Sequence, residues 1–322
     1  MSNLFLFHGP DNFSSQQKIR FWREQFTKKH GDMNIEILDN KKITPAEIRS
    51  AINSHPFLGE KRLVIVKDFF QNASADQQKV VADFIDKVPE FCILAFLENQ
   101  SADKRTSLYK KLQKLGTVEE FASPDPAKIL TFLRQESQKL KLNISISTLT
   151  YLSQILPPNL WTASNELQKI ANYSETQEIT REVVDNLVTP SLSSSIFNLT
   201  GQICTRKHRE AFSTLKTLYQ SGEEITKIFF MVVRHFRILI QISELANKGF
   251  KESDIVRQLK QHPFTVKKAI GQTRSLSPQT LKTTYKKLLE IDTRVKTGKI
   301  RFTQQEPAEF ILSLEQLILT IN

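Results

Sequence analysis

The sequence predicts an α/β domain followed by two all-α domains, and three observations lead to this prediction. Through the first 124 residues, short apolar runs alternate with segments of helical periodicity. Beyond the proline-containing segment 123–126 the strand pattern stops, and helices separated by proline- and serine-rich joints follow. The chain has 322 residues, enough for two or three domains. We therefore predict an α/β domain over 1–124, a small helical domain over 125–195 and a larger basic helical domain over 196–322.

Five apolar runs in the first domain are predicted to form a parallel sheet. They lie at 4–7, 34–38, 62–66, 91–97 and 117–121. Few polar residues interrupt them, which is typical of strands that helices cover on both faces. The predicted helices between them lie near 14–30, 45–54, 75–88 and 103–115. This alternation indicates a doubly wound α/β domain.

The second of these helices has a clear start, because Thr44 can cap it, Pro45 suits its first turn and Glu47 completes a capping box. In the last domain the clearest helix covers about 223–248, with a broad apolar face and Gly249 at its end. Further helices are predicted near 253–260, 263–273, 278–297 and 307–321.

The chain opens with an apolar strand and a glycine turn, as nucleotide-binding proteins often do. A phosphate-binding loop needs the pattern G-x-x-x-x-G-K-[ST], in which backbone N–H groups and the lysine hold the phosphates. With Gly9 as its first glycine, this pattern needs its second glycine and its lysine at positions 14 and 15, where the chain has Ser14 and Ser15 after Phe13. We predict a strand-to-helix turn that requires glycine, with ATP binding as the alternative.

Composition restricts the setting of the protein. The chain is 39% hydrophobic with 22 phenylalanines, which supports packed cores. No apolar run is long enough to span a membrane, and the first residues do not resemble a secretion signal. The two cysteines show no disulfide or metal pattern, and Cys92 lies inside an apolar run. A reducing, cytoplasmic location is therefore expected.

The net charge of +11 lies almost entirely in residues 196–322. Such asymmetry is typical of proteins that contact nucleic acid or an acidic protein surface. Solvated helix faces are the competing explanation, and charge alone does not separate the two.

Six motifs, in order along nearly the whole chain, resemble those of the bacterial DNA polymerase III delta subunits, which are clamp-loader proteins of the AAA+ type. The motifs are LFHGPD at 6–11, PFLGEKRLVIV at 56–66, KRTSLYKKL at 104–112, NELQK at 165–169, HPFTVKK at 262–268 and DTRVKTG at 292–298. The resemblance implies an AAA+-like α/β domain with a degenerate nucleotide site, a helical lid and a helical collar through which subunits assemble.

The resemblance also implies a function without catalysis by this chain. A delta subunit binds the beta sliding clamp and opens it for loading onto primed DNA during replication, without hydrolysing ATP itself. The implied partners are the beta sliding clamp, the ATP-hydrolysing gamma/tau subunits, delta-prime and primed DNA, and no cofactor is implied. The third strand agrees, because it leads to a single acid, Asp68, where ATPases place an adjacent acidic pair.

Phe57 and Leu58 are the leading candidates for the clamp contact that the resemblance implies. Pro56 ends the preceding helix, and Gly59 and Glu60 turn the chain into the next strand, so two large apolar side chains occupy a short tip. In the family, an apolar pair at this position enters a hydrophobic pocket on the clamp. The alternative is that both side chains fold back onto the core of the domain.

Lys267 and Lys268 are candidates for contact with DNA or a partner, with a purely structural helix as the alternative. The six histidines and two cysteines lack the spacing of metal ligands, and no nucleophile–base arrangement is recognisable. We predict no catalytic, cofactor or metal site. Two other functions stay open: a divergent AAA+ ATPase, and a helix-turn-helix protein that reads duplex DNA through 252–274.

Overall fold

The computed structural model describes residues 3–40, 42–174, 178–261, 263–303 and 306–321. The first part of the chain alternates strands and helices as predicted. Its elements are β1 (Leu4–His8), α1 (Asn12–His30), β2 (Ile35–Leu38), α2 (Pro45–Asn53), β3 (Arg62–Lys67), α3 (Phe69–Asn72), α4 (Ala75–Phe84), β4 (Cys92–Glu98), α5 (Ser107–Leu115) and β5 (Thr117–Glu120). Short 3-10 turns occupy Asp32–Asn34 and Ile85–Lys87.

The five strands form one parallel sheet in the order β2-β3-β4-β1-β5. One face packs against α2, α4 and α5, where Leu6, Val66 and Phe96 are buried. The other face packs against α1, where Phe7 and Ile65 are buried. Side chains alternate between the two faces along each strand, and both faces are covered, so the central strands β1, β3 and β4 read as nearly continuous apolar runs.

Different connections lie at the amino and carboxyl ends of the parallel strands. The connections that enter β2 and β3, residues 31–34 and 54–61, lie at the amino ends of the strands. The turns that leave β1, β3 and β4 lie at the carboxyl ends, which is where open α/β sheets bind their ligands. The connection at 54–61 and the glycine turn at Gly9 therefore lie at opposite edges of the sheet.

Helices make up the rest of the chain. They are α6 (Pro126–Lys139), α7 (Ile146–Ile155), α8 (Leu160–Ser174), α9 (Arg181–Leu187), α10 (Leu192–Cys204), α11 (His208–Gln220), α12 (Ile225–Asn247), α13 (Glu252–Leu259), α14 (Pro263–Thr273), α15 (Pro278–Lys296) and α16 (Ala308–Leu319). The only strand pairing described in this part is a bridge between Ile144 and Ile179. The predicted fold class, a parallel α/β domain followed by helices, is confirmed.

Contacts divide the chain into two compact units. The first comprises Met1–Leu142 and Pro158–Glu175, and within it α8 packs against α6 and α1. The second comprises Asn143–Pro157 and Thr176–Asn322, and its core centres on α12, which contacts α10, α14 and α15. The division into three domains at 1–124, 125–195 and 196–322 stays a prediction.

Local chemistry explains where the elements begin. Thr44 and Glu47 form the predicted capping box, because the Glu47 N–H donates to Thr44 Oγ1 at 3.3 Å and the Thr44 N–H donates to Glu47 Oε2 at 2.6 Å. The predicted start of α5 near residue 103 is wrong. Thr106 caps this helix, so Lys104 and Arg105 precede it. The short helix α3 was not predicted from the sequence.

Candidate functional site

The first candidate surface is the apolar tip, which we define as Phe57 and Leu58 in the connection from α2 to β3. The Phe57 side chain is 56% exposed, and that of Leu58 is 93% exposed. Neither belongs to the core of the domain, so the alternative in which both fold back is excluded. Large apolar side chains presented in this way are typical of binding surfaces.

The backbone of the tip is strained. Leu58 has a φ of +48°, in the left-handed region that a branched side chain rarely adopts. This conformation costs about 1–2 kcal/mol per residue relative to the right-handed one. Strain of this kind persists only where surrounding contacts impose it, and it concentrates at functional sites.

Asn34, at the entry to β2, holds the backbone of Phe57, the residue before Leu58. Its side-chain amide is almost fully buried, with 1% of the residue exposed. Asn34 Oδ1 accepts from the Phe57 N–H at 2.7 Å, and Nδ2 donates to the Phe57 carbonyl at 2.9 Å. Nδ2 also donates to the His30 carbonyl at 2.6 Å, which ties the tip to the end of α1. One amide thus satisfies both backbone groups of Phe57, as a neighbouring strand would.

Met33 is a third exposed apolar residue beside the tip. It is 71% exposed and lines the same surface depression as Phe57 and Leu58. Neither Met33 nor Asn34 is predicted by the sequence, because they lie more than twenty residues upstream and no periodic pattern joins the two segments. Only the pairing of β2 with β3 brings these connections together.

The glycine turn at the opposite edge is a tightly closed structure. Gly9 has a φ of +131°, and a Cβ at this position would lie 2.2 Å from the Phe121 carbonyl oxygen, so only glycine fits. The buried Asp11 caps α1, since its Oδ1 accepts from the Ser14 N–H at 3.2 Å. Its Oδ2 also pairs with Lys128 Nζ at 2.7 Å. A carboxylate of the chain itself therefore occupies the amino end of α1, where a bound phosphate would interact.

An aromatic cluster adjoins this turn. The ring of Phe13 packs edge-to-face against Phe132 at 5.0 Å and against Trp161 at 4.8 Å between centroids. Phe13 is buried and lies in the first turn of α1, where a phosphate-binding loop would continue. Lys18, the first lysine of α1, pairs with Glu119.

Buried polar groups line the carboxyl ends of the central strands. Burial raises the pKa of Glu98 to about 8, and it lowers the pKa of His8, which stands opposite Glu98 on the neighbouring strand. Glu98 Oε1 accepts from the Phe70 N–H at 3.0 Å. Asp68 accepts from the backbone and side-chain N–H groups of Asn99 at 3.1 and 2.9 Å. The single acid after β3 thus secures a turn within the protein.

The predicted basic residues Lys267 and Lys268 lie on α14 and differ in their environment. Lys267 is exposed. Lys268 is half-buried, with Nζ 5.0 Å from the centroid of the Phe197 ring, and burial lowers its pKa. His262, which belongs to the motif just before α14, lies outside the described residues. Lys267 is therefore the better placed of the two lysines to reach a phosphate.

The helix pair α13–α14 lies within residues 252–274, the segment through which the alternative helix-turn-helix protein would read duplex DNA. In α14, Val266 and Ala269 are buried in the core of the second unit. Gln272 donates to the Phe197 carbonyl at 3.1 Å and bonds His235 Nε2 at 2.8 Å. These contacts commit one face of α14 to packing against α10 and α12.

The described residues show neither a metal site nor a membrane-spanning helix. No group of three or more histidine, cysteine or acidic side chains among them has the arrangement of a metal site. None of the helices described is both long and apolar enough to cross a membrane. Cys92 and Cys204 are free and buried, and burial raises the pKa of each thiol to about 12.

Three family models match the chain in succession. Residues 5–122 match the model of the DNA polymerase III delta subunit, and residues 193–307 match that of its C-terminal domain. Residues 126–186 match a model described as a middle domain. The two delta-subunit models together cover more than half of the chain.

Individual proteins and solved structures are similar to this chain over most of its length. The DNA polymerase III subunit delta of Bacillus subtilis (strain 168) is 26% identical over 309 residues, which are 92% of this chain and 88% of that protein. The solved structure of the Bacillus subtilis DNA clamp loader delta protein (YqeN) gives a TM-score of 0.60 at 25% identity, with 98% of this chain and 95% of that chain covered. A Thermotoga maritima RuvB Holliday junction branch migration motor gives a TM-score of 0.43 at 10% identity, covering 83% of this chain and 77% of that one.

Proposed function

Because the chain belongs to the DNA polymerase III delta subunit family, we propose that it binds and opens the beta sliding clamp for loading onto primed DNA. It is a clamp-loader subunit and thus part of the DNA polymerase III complex. Clamp opening and the absence of ATP hydrolysis by this chain are the parts we propose. We assign it no nucleotidyl transfer.

The observation that carries the proposal is the exposed apolar tip. Phe57 and Leu58 expose large apolar surfaces on a strained backbone that the buried Asn34 holds in place. A surface that is fixed before binding loses little conformational freedom on association, so more of the burial energy appears as affinity. A pair of apolar anchors entering a pocket also fits the few residues that dominate most interfaces.

The opposite edge of the sheet supports a role without ATP hydrolysis. Asp11 already satisfies the amino end of α1 and pairs with Lys128. Phe13 packs into an aromatic cluster in the first turn of the same helix. A nucleotide phosphate at this turn would meet the Asp11 carboxylate, so ATP acts through partner subunits in our proposal.

The partners follow from the same assignment. We propose that the α/β domain, residues 1–124, contacts the clamp, and that the basic domain, residues 196–322, assembles with the gamma/tau and delta-prime subunits. The division with a middle domain at 125–195 is supported by the ranges of the three family models. Primed DNA is encountered in the assembled complex, with the exposed Lys267 as the better placed of the two candidate lysines, Lys267 and Lys268, and we place the protein in the cytoplasm.

Clamp opening can be tested with the clamp of the same organism. A fluorescent pair is placed across one interface of the ring, and the purified chain is added without ATP. We expect energy transfer to fall and to reach a plateau as the concentration of the chain rises. The Phe57→Ala/Leu58→Ala variant should cause no such fall. Saturable binding with no change in transfer would contradict opening, and ATP hydrolysis by the isolated chain would contradict the non-catalytic role.

A further inference from the structure

We propose that the connection from α1 to β2 forms the second half of the clamp-binding surface. In this proposal Asn34 is a positioning residue that fixes the conformation of the apolar tip, and Met33 is a third apolar anchor that the partner covers. The partner's identity rests on the proposed function above. The positioning of the tip by Asn34 does not depend on it.

Asn34 holds the tip through the backbone of Phe57. Asn34 makes three hydrogen bonds at 2.6–2.9 Å, two of them to the backbone of Phe57. A buried amide with satisfied donors and acceptors is costly to disturb, because any group left without its partner keeps its desolvation penalty. The Phe57 backbone therefore has one strongly preferred position, which fixes the direction in which the Phe57 side chain projects.

Gly59, two residues after Phe57, also lies close to the Asn34 amide. A Cβ on Gly59 would lie 2.8 Å from Asn34 Nδ2 and 3.3 Å from the His30 carbonyl oxygen. The chain thus passes so close to the Asn34 amide that a larger residue at position 59 would have to displace it, although the φ of Gly59 is not positive. Between these two fixed points Leu58 adopts its left-handed conformation, and its side chain projects almost fully into solvent. The same asparagine accounts for the placement of both apolar side chains.

Met33 lies beside the apolar tip. It directly precedes Asn34 in the 3-10 turn, so the residue that fixes the tip also fixes the turn that carries Met33. It lines the depression next to Phe57 and Leu58, and it is 71% exposed. Methionine is a flexible and polarizable side chain that suits variable apolar contacts. The continuity of this apolar surface with the tip indicates that one partner, the sliding clamp, covers both segments.

Amide hydrogen exchange of the free chain tests the positioning role without any partner. We expect Asn34→Ala to speed exchange of the Phe57 N–H at least tenfold, and Gly59→Ala to act in the same direction because it disturbs the same contact from the other side. Gln78→Ala is the matched control. Gln78 is also a buried amide, and it donates to the backbone carbonyls of Phe70 and Ala73 at 3.0 and 3.3 Å. Unchanged exchange at Phe57 in Asn34→Ala would overturn the positioning role.

Clamp affinity tests the functional role. We expect Asn34→Ala and Met33→Ala each to raise Kd about tenfold, which corresponds to about 1.4 kcal/mol. In the Phe57→Ala/Leu58→Ala background, Asn34→Ala should have no further effect, whereas Met33→Ala should still weaken any residual binding. Gln78→Ala and the exposed Val80→Ala should leave Kd unchanged. Wild-type affinity in both Asn34→Ala and Met33→Ala would overturn the proposal.

The two measurements separate this inference from the proposed function. If the wild-type chain does not bind the clamp, the proposed function and the assignment of Met33 both fail. Hydrogen exchange still decides whether Asn34 holds the tip. If the clamp binds but Asn34→Ala loosens the tip without changing Kd, the proposed function and the positioning of the tip by Asn34 both stand, and the claim that this positioning strengthens clamp binding fails.

Discussion

Leu58→Ala should separate binding from folding more cleanly than any other single change in the tip. The Leu58 side chain is 93% exposed in the free chain, so its removal takes almost no apolar surface out of the folded core. Alanine keeps the Cβ, so the strain of the left-handed backbone is the same in both proteins. The variant therefore changes what a partner can bury and little else.

The expected magnitude follows from this exposure. Full burial of a leucine side chain contributes about 1.5–3 kcal/mol, and replacement by alanine removes most of it. If the clamp covers Leu58, we expect a loss of about 2 kcal/mol, which is roughly a 30-fold rise in Kd. The free energy of unfolding should change by less than about 0.5 kcal/mol, as for other exposed positions. Phe57 is nearly half covered already, so Phe57→Ala should weaken folding as well as binding.

The assay combines calorimetric titration with the sliding clamp and chemical denaturation of each free variant. Val80→Ala, at an exposed position of α4, serves as the control for loss of exposed apolar surface. A Kd within threefold of the wild-type value would refute the burial of Leu58 by the clamp. A fall in unfolding free energy of more than about 1 kcal/mol would refute the claim that the side chain contributes nothing to the fold.

Two further predictions concern charge. Burial raises the pKa of Glu98 to about 8 from an ordinary value of 4.5, so its contribution to stability is fully present below pH 4.5 and is lost as pH rises through about 8. Denaturation across this pH range should show that the unfolding free energy of Glu98→Gln increases relative to that of the wild type as pH rises. A difference in unfolding free energy that does not change with pH would contradict the raised pKa of Glu98. In a plot of the logarithm of the DNA-binding constant of the assembled loader against the logarithm of salt concentration, Lys267→Ala should reduce the magnitude of the slope by about one. Lys268→Ala should leave this slope unchanged, because Lys268 lies against the Phe197 ring. Equal slopes for the two variants would contradict this distinction.

The architecture could be predicted from the sequence because its signals are local. The central strands β1, β3 and β4 are nearly continuous apolar runs, and the capping box of Thr44 and Glu47 marks a helix start within four residues. The glycine turn at Gly9 was also predictable, because a phosphate-binding pattern was visibly incomplete there. Cys92 was expected to be buried from its apolar neighbours, and this is confirmed. All of these features depend on residues close together in the chain.

What could not be predicted depends on contacts between distant segments. Asn34 holds Phe57 across 23 positions of sequence, and only the pairing of β2 with β3 brings them together. The same limit applies to Lys128, which pairs with Asp11 from a helix beyond the sheet. The predicted start of α5 is wrong for a local reason. Helical periodicity extends through Lys104 and Arg105, whereas Thr106 provides the actual cap. Sequence patterns thus identified the apolar tip but not the residues that hold it.

The central claim is that the chain binds a sliding clamp through its apolar tip. The most direct test is the equilibrium Kd of the full-length chain for the beta clamp of its own organism, measured beside the Phe57→Ala/Leu58→Ala variant. The account predicts saturable binding by the wild-type chain and a loss of at least about 100-fold in the variant, whose fold persists by circular dichroism. Binding that survives the double substitution would contradict the assignment of the site. A folded wild-type chain that does not bind the clamp would contradict the proposed function.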